Sequence, residues 1–225
     1  YSSDWNTKEI IQGLPCSDPN NWDDRTLPSF TQDTTLLFCF GTCATDTICP
    51  APWVSTGPLS GVYTINANSF GARNYTSITA AIADLDSLGV TGAVTFNVAS
   101  GVYDEQINLG EVTGASSVNT ITFFGDVGNA ISPIVLTYTP VGSSDNWTVK
   151  MTGTDYVTFD NMTITSGGSS YASLIVYTDT VTNFNLTNCH LIGKTSGSTS
   201  SNYAGLYYTY PAVAAGNWHI SDNTF

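Results

Sequence analysis

Apolar and polar residues alternate in one fixed frame at five places along the chain. The copies begin at Val94, Ile121, Val157, Phe184 and Trp218 and read VTFNV, ITFFG, VTFDN, FNLTN and WHISD. First and third positions are apolar in every copy, the third being Phe96, Phe123, Phe159, Leu186 and Ile220. The second position is polar throughout: Thr95, Thr122, Thr158, Asn185 and His219. That is strand alternation, one set of side chains facing a core and the other facing water. The copies start 27, 36, 27 and 34 residues apart. Strands returning at about this period predict a solenoid, in which each unit buries its apolar face on the next. The frame predicts that Phe96, Phe123 and Phe159 stack as one interior ladder, one ring per coil.

Further strand candidates lie between the copies, among them Ile134–Tyr138 and Trp147–Met151, so that several strands make up one coil. The last three copies also align beyond the strand. Their fifth positions, Asn161, Asn188 and Asp222, predict a polar ladder at a coil corner, where such side chains hydrogen-bond along the stack and satisfy turn backbone. Their eighth positions are Ile164, Leu191 and Phe225. Phe225 then reads as a core position with no cap behind it, which predicts that the solenoid continues past residue 225. One helix is predicted over about 76–88, capped by Thr76 or Ser77, striped by Ile78, Ala81, Ile82, Leu85 and Leu88, and closed by Gly89. Directly before the first frame copy, it suits a cap over the open end of the solenoid.

Residues 1–53 carry no repeat frame but hold Cys16, Cys39, Cys43 and Cys49. Their spacings fit no common zinc pattern and no His lies among them, so two disulfides in an oxidising compartment are expected, with connectivity open. This segment reads as a small loop-rich module through which the chain could pair with a second copy. Residues 54–61 read as a linker and 62–225 as the solenoid. Cys189 stands alone in the repeats and reads as a buried free thiol.

Charge narrows the partners. Only 10% of residues are charged, against about 25% in an ordinary globular domain. The net charge of -13 divides into -5 over residues 1–60 (seven acids, two bases) and -8 over the rest (eleven acids, three bases). Nucleic acid and anionic membrane both demand basic clusters, so neither is the expected partner. A secreted protein that meets a cell-surface glycan or protein fits better, and the acidic balance leaves room for Ca²⁺. No run of 18 apolar residues is present to span a membrane.

The segments Tyr75–Ile82, Gly92–Val98 and Gly101–Ile107 (with its Gly-x-Tyr-x-Glu turn) together resemble the opening of pectin-lyase-like right-handed parallel β-helix proteins. Asn119–Phe123 and Asp155–Ile164 add a closer resemblance, to large secreted surface proteins of Bacteroidota exported by the type IX system. The resemblance covers residues 61–225. It implies a right-handed parallel β-helix, and a non-enzymatic role as stalk, adhesin or multichain appendage in attachment, gliding or cell capture. The competing class within the fold is a polysaccharide lyase or carbohydrate esterase, which the fold alone does not exclude.

An enzyme of that class needs carboxylates and a base on one outward face. The repeat region offers Arg73, Lys150 and Lys194 as its bases, with Asp145, Asp155 and Asp160 near Lys150 in sequence. His190 and His219 have no Ser or Cys at the spacing of a catalytic triad and read as surface residues. Asp104 and Glu105 could take a cation, although the resemblance implies a structural turn there. The Thr95, Thr122, Thr158 array is of the kind that binds ice on flat solenoids, but it breaks to Asn185 and His219. No catalytic, cofactor or metal residue is assigned.

Overall fold

The computed structural model describes residues 55–69, 71–125, 134–195, 200–208 and 216–225. Cys16, Cys39, Cys43 and Cys49, and the module expected over 1–53, lie outside these residues. The solenoid begins with β1 (Leu59–Ile65), β2 (Asn74–Tyr75) and α1 (Ile78–Leu88). Three strands then make each coil. The first coil is β3 (Val90–Val98), β4 (Gly101–Asp104) and β5 (Ile107–Leu109). The second is β6 (Ile121–Gly125), β7 (Ile134–Tyr138) and β8 (Val149–Met151). The third is β9 (Val157–Asp160), β10 (Thr163–Ser166) and β11 (Ile175–Tyr177). The fourth is β12 (Asn185–Thr187), β13 (His190–Ile192) and β14 (Leu206–Tyr208), and β15 (His219–Ser221) opens a fifth.

Strands pair with their equivalents one coil away, always in parallel. The result is three sheets, ordered β15-β12-β9-β6-β3-β1-β2, β13-β10-β7-β4 and β14-β11-β8-β5. From β3 onward strand n hydrogen-bonds to strand n+3 in every sheet, which defines a parallel β-helix. Register in the first sheet runs Phe96, Phe123, Phe159, Leu186, Ile220, matching the third position of the repeat frame. Phe96, Phe123 and Phe159 are fully buried, with ring centroids 5.0 and 5.3 Å apart and planes inclined by 19° at each step. Tyr63 and Tyr75 extend the aromatic stack at one end, and Phe184 and Trp218 at the other.

The segment read as a linker over 54–61 needs correction. Its last three residues belong to β1, where Leu59 is completely buried and pairs with Val90. Pro58 and Gly61 suggested a spacer, but Gly61 sits at φ 81° where the β1–β3 register shifts, so the glycine serves a bulge inside the strand. The eighth frame positions also divide: Ile164 and Leu191 are buried, whereas Phe225 is 82% exposed.

Helix α1 packs on β1, β2 and β5 and buries Ile78, Ala81, Ile82 and Leu85. Its first three N–H groups all find side-chain acceptors. Ser77 Oγ accepts from Ala80 N at 3.0 Å, while the Glu105 carboxylate accepts from Ile78 N at 3.2 Å and Thr79 N at 2.7 Å. Glu105 thus caps the helix from 26 residues downstream of Thr79 and completes what Ser77 begins. At the other end Gly89 adopts φ 68°, and a Cβ there would lie 2.4 Å from Thr113 O. Both the left-handed conformation and the close backbone demand glycine.

The corner after the first sheet is built on Asn161, Asn188 and Asp222, with φ of 59°, 52° and 57°. Asn and Asp tolerate this conformation because their short polar groups bond locally. The side chains reach back one coil: Asn161 Nδ2 donates to Gly125 O at 2.9 Å, and Asn188 Nδ2 to Asp160 Oδ1 at 2.8 Å. A second left-handed corner precedes the first-sheet strands at Tyr156, Asn183 and Asn217, where Asn217 Nδ2 donates to Asn183 Oδ1 at 3.3 Å.

Candidate functional site: the outward face of the first sheet

Outward positions of the first sheet form two continuous rows. One runs Val62, Thr95, Thr122, Thr158, Asn185, His219; the other runs Thr64, Asn97, Phe124, Asp160, Thr187, Ser221. The strands hold these side chains because their neighbours in sequence are locked inside. Several are also fixed sideways. Asn185 Nδ2 donates to Thr158 Oγ1 at 3.0 Å, and Asp160 Oδ1 takes the hydrogen bond from Asn188. Phe124 is half-buried, the one Phe, Tyr or Trp in twelve outward positions.

The groups considered for catalysis are not gathered here. Lys150 lies outward on the third sheet, its Nζ 4.7 Å from the centroid of the Trp147 ring, in a cation–π contact. Asp145, near it in sequence, accepts from Tyr138 Oη, Val141 N and Gly142 N at 2.8–3.1 Å. The Val141 N–H, ahead of the other donors, holds its carboxyl below the usual range. Asp155 accepts from Thr182 N and Oγ1 one coil on, and Asp160 faces outward on the first sheet. Asp145 and Asp155 therefore tie backbone, and Asp160 takes the side-chain amide of Asn188. Lys194 Nζ donates to Ser169 O, and Arg73 donates to Ser60 O and Val62 O while its guanidinium lies 4.6 Å from the Tyr63 ring centroid.

Asp104 is exposed and Glu105 caps α1, so the Gly-x-Tyr-x-Glu turn acts as a clamp. Its Tyr103 Oη donates to Ile65 O and Ala99 O at 3.0 and 2.9 Å. Burial pushes the Tyr103 hydroxyl up to about 12, with the Glu105 charge adding to the effect. Cys189 is a free, buried thiol whose Sγ lies 3.6 Å from Phe159 O, and burial raises its pKa. Among the described residues no group of three or more His, Cys, Asp and Glu could hold a metal ion, and no helix is long and apolar enough to cross a membrane.

Two features of the outward face escaped the sequence reading. His219 Nε2 lies 3.0 Å from Ser221 Oγ, a contact that strand alternation provides for residues i and i+2. A nucleophilic serine also needs its imidazole oriented by a third group. The register partner of His219 is Asn185, whose amide is committed to Thr158. The second feature is Phe124. In the fourth frame position its counterparts are Asn97, Asp160, Thr187 and Ser221, so a lone aromatic in a polar column was the available signal.

No protein-family description matches this chain, and no curated protein matches it at a significant level. Among solved structures it is similar to the pectin methylesterase of Aspergillus niger in deglycosylated form. That match covers 77% of this chain and 87% of the esterase at 14% identity, with a TM-score of 0.39. Similarity at that level carries neither fold nor activity across, and the parallel β-helix rests on strand register.

Proposed function

We propose that this chain is part of a secreted cell-surface protein in which the β-helix serves as a rigid stalk or adhesive surface. The observation that carries the reading is the outward face of the first sheet. It keeps register from β1 to β15 and presents small uncharged polar side chains along most of its length. A lyase or esterase would need an unoccupied base beside convergent carboxylates. Here Arg73 and Lys194 bind backbone carbonyls and Lys150 lies on Trp147, which favours a non-catalytic surface.

The finer reading follows the resemblance to large Bacteroidota surface proteins exported by the type IX system. Residues 1–53 are a disulfide-stapled head, α1 is the cap of a right-handed solenoid, and the chain works in attachment, gliding or cell capture. Beads coated with the 225-residue chain should adhere to a cell surface or glycan matrix, with no turnover of acidic polysaccharide by the same preparation. Unsaturated products released from polygalacturonate, and abolished by Lys150→Ala, would replace this reading with the lyase.

A further inference from the structure

We propose that the outward face of the first sheet binds a neutral glycan chain lying along the solenoid axis, with one sugar stacked on Phe124 between Asn97 and Asp160. The inference rests on the adhesive reading and names its ligand class. Asn97, Phe124 and Asp160 are direct register partners on β3, β6 and β9. Adjacent rungs of a sheet are about 4.8 Å apart, close to the advance of one sugar in an extended polysaccharide. A linear glycan crossing the strands therefore meets one rung per residue, and the row reads it in step.

The chemistry of the three positions is complementary to a pyranose. The apolar C–H face of the sugar packs on the half-buried Phe124 ring. Its equatorial hydroxyls reach sideways to groups that donate or accept: the Asn97 amide does both, and the Asp160 carboxylate accepts. Thr95, Thr122 and Thr158 add hydroxyls in the adjacent row. Asp160 is held before any ligand arrives, because Oδ1 accepts from Asn188 Nδ2 and Asn188 is fixed in its left-handed corner. Such preorganisation on strands reduces the ordering cost of binding.

Charge selects the neutral class. The two rows hold one formal charge, that of Asp160, and no Lys or Arg. A uronate or sulfated polymer would find nothing here to neutralise it and would meet a chain of net charge -13.

Binding is tested with the 225-residue chain on an array of neutral and acidic oligosaccharides, followed by calorimetric titration with cellohexaose, mannohexaose, chitohexaose and hexagalacturonate. A neutral oligosaccharide should bind, and hexagalacturonate should not. Phe124→Ala should weaken the neutral ligand about tenfold, the scale of one lost aromatic stack, while Phe124→Trp retains it. Asn97→Ala, with an unchanged melting temperature, should weaken it as well and guards against loss of fold in the Phe124 variant. No neutral glycan bound, a preference for hexagalacturonate, or an affinity indifferent to both alanine variants overturns the inference. Adhesion that survives periodate oxidation of the target cells' glycans would overturn it too, while leaving the adhesive reading intact.

Discussion

Replacing Phe123 by alanine tests the solenoid at its centre. The ring is fully buried and sandwiched at 5.0 Å from Phe96 and 5.3 Å from Phe159, nearly parallel to both. Truncating a buried phenylalanine costs about 3–5 kcal/mol through lost transfer energy and the cavity left behind. Two ring contacts disappear as well, each worth about 0.5–1.5 kcal/mol beyond area burial, which places Phe123→Ala in the upper part of that range. The rungs above and below cannot close the gap, because their backbones are tied in register through β3, β6 and β9. Thr122→Ala is the internal control. It is the adjacent residue, points outward, and should change stability by no more than about 0.5 kcal/mol. Urea denaturation followed by far-ultraviolet circular dichroism reads both variants. Solenoid stability is a sum of coil and interface contributions, so the midpoint and slope should be compared for each. A loss below about 1 kcal/mol for Phe123→Ala, well under the cost of an ordinary buried phenylalanine, would refute the claim that the ladder organises the core.

Two further predictions concern the clamp at the start of the solenoid. Glu105→Ala should destabilise the chain by about 1–2 kcal/mol, because two helix N–H groups lose their acceptor, and amide exchange at Ile78 and Thr79 should accelerate; unchanged exchange would remove Glu105 from the cap. Tyr103 has its pKa raised in the folded state to about 12, so the stability it lends is fully present below its ordinary value near 10 and is lost as pH rises from there towards 12. Melting temperature against pH should fall less steeply across that window for Tyr103→Phe than for the parent chain, and parallel curves would contradict the assignment.

The inward half of the fold was legible because the next coil buries it. Val94, Ile121 and Val157 alternate with Phe96, Phe123 and Phe159 under a strict steric demand, and period-2 patterning survives wherever such a demand exists. Helix α1 showed its stripe for the same reason. Strand β1 did not, since Pro58 and Gly61 carry turn signals while Leu59, Tyr63 and Ile65 are the residues that pack. The cap on α1 was hidden by distance: Ser77 is local, but Glu105 arrives through the turn after β4, and no rule of sequence spacing connects the two. Tyr156 was equally opaque, because it occupies a left-handed corner whose other members, Asn183 and Asn217, carry the expected residue.

The outward face is legible in a different degree, for a physical reason. In a solenoid the core fixes each strand through its inward side chains, and an outward residue can change with little effect on the coil beneath it. Thr95, Thr122 and Thr158 are what any exposed strand prefers, so their presence says little about what they touch. Information about function therefore sits in departures from the cheap residue. Phe124 is such a departure: a large ring on a polar column, at a position where a threonine would satisfy the strand and cost less to expose. Asp160 is another, held by Asn188 although a free serine would serve the strand as well. The two departures fall on neighbouring rungs of one row, with Asn97 completing the line. That adjacency appears once register is known, because Asn97 and Asp160 are 63 residues apart in the chain and two strands apart in the sheet.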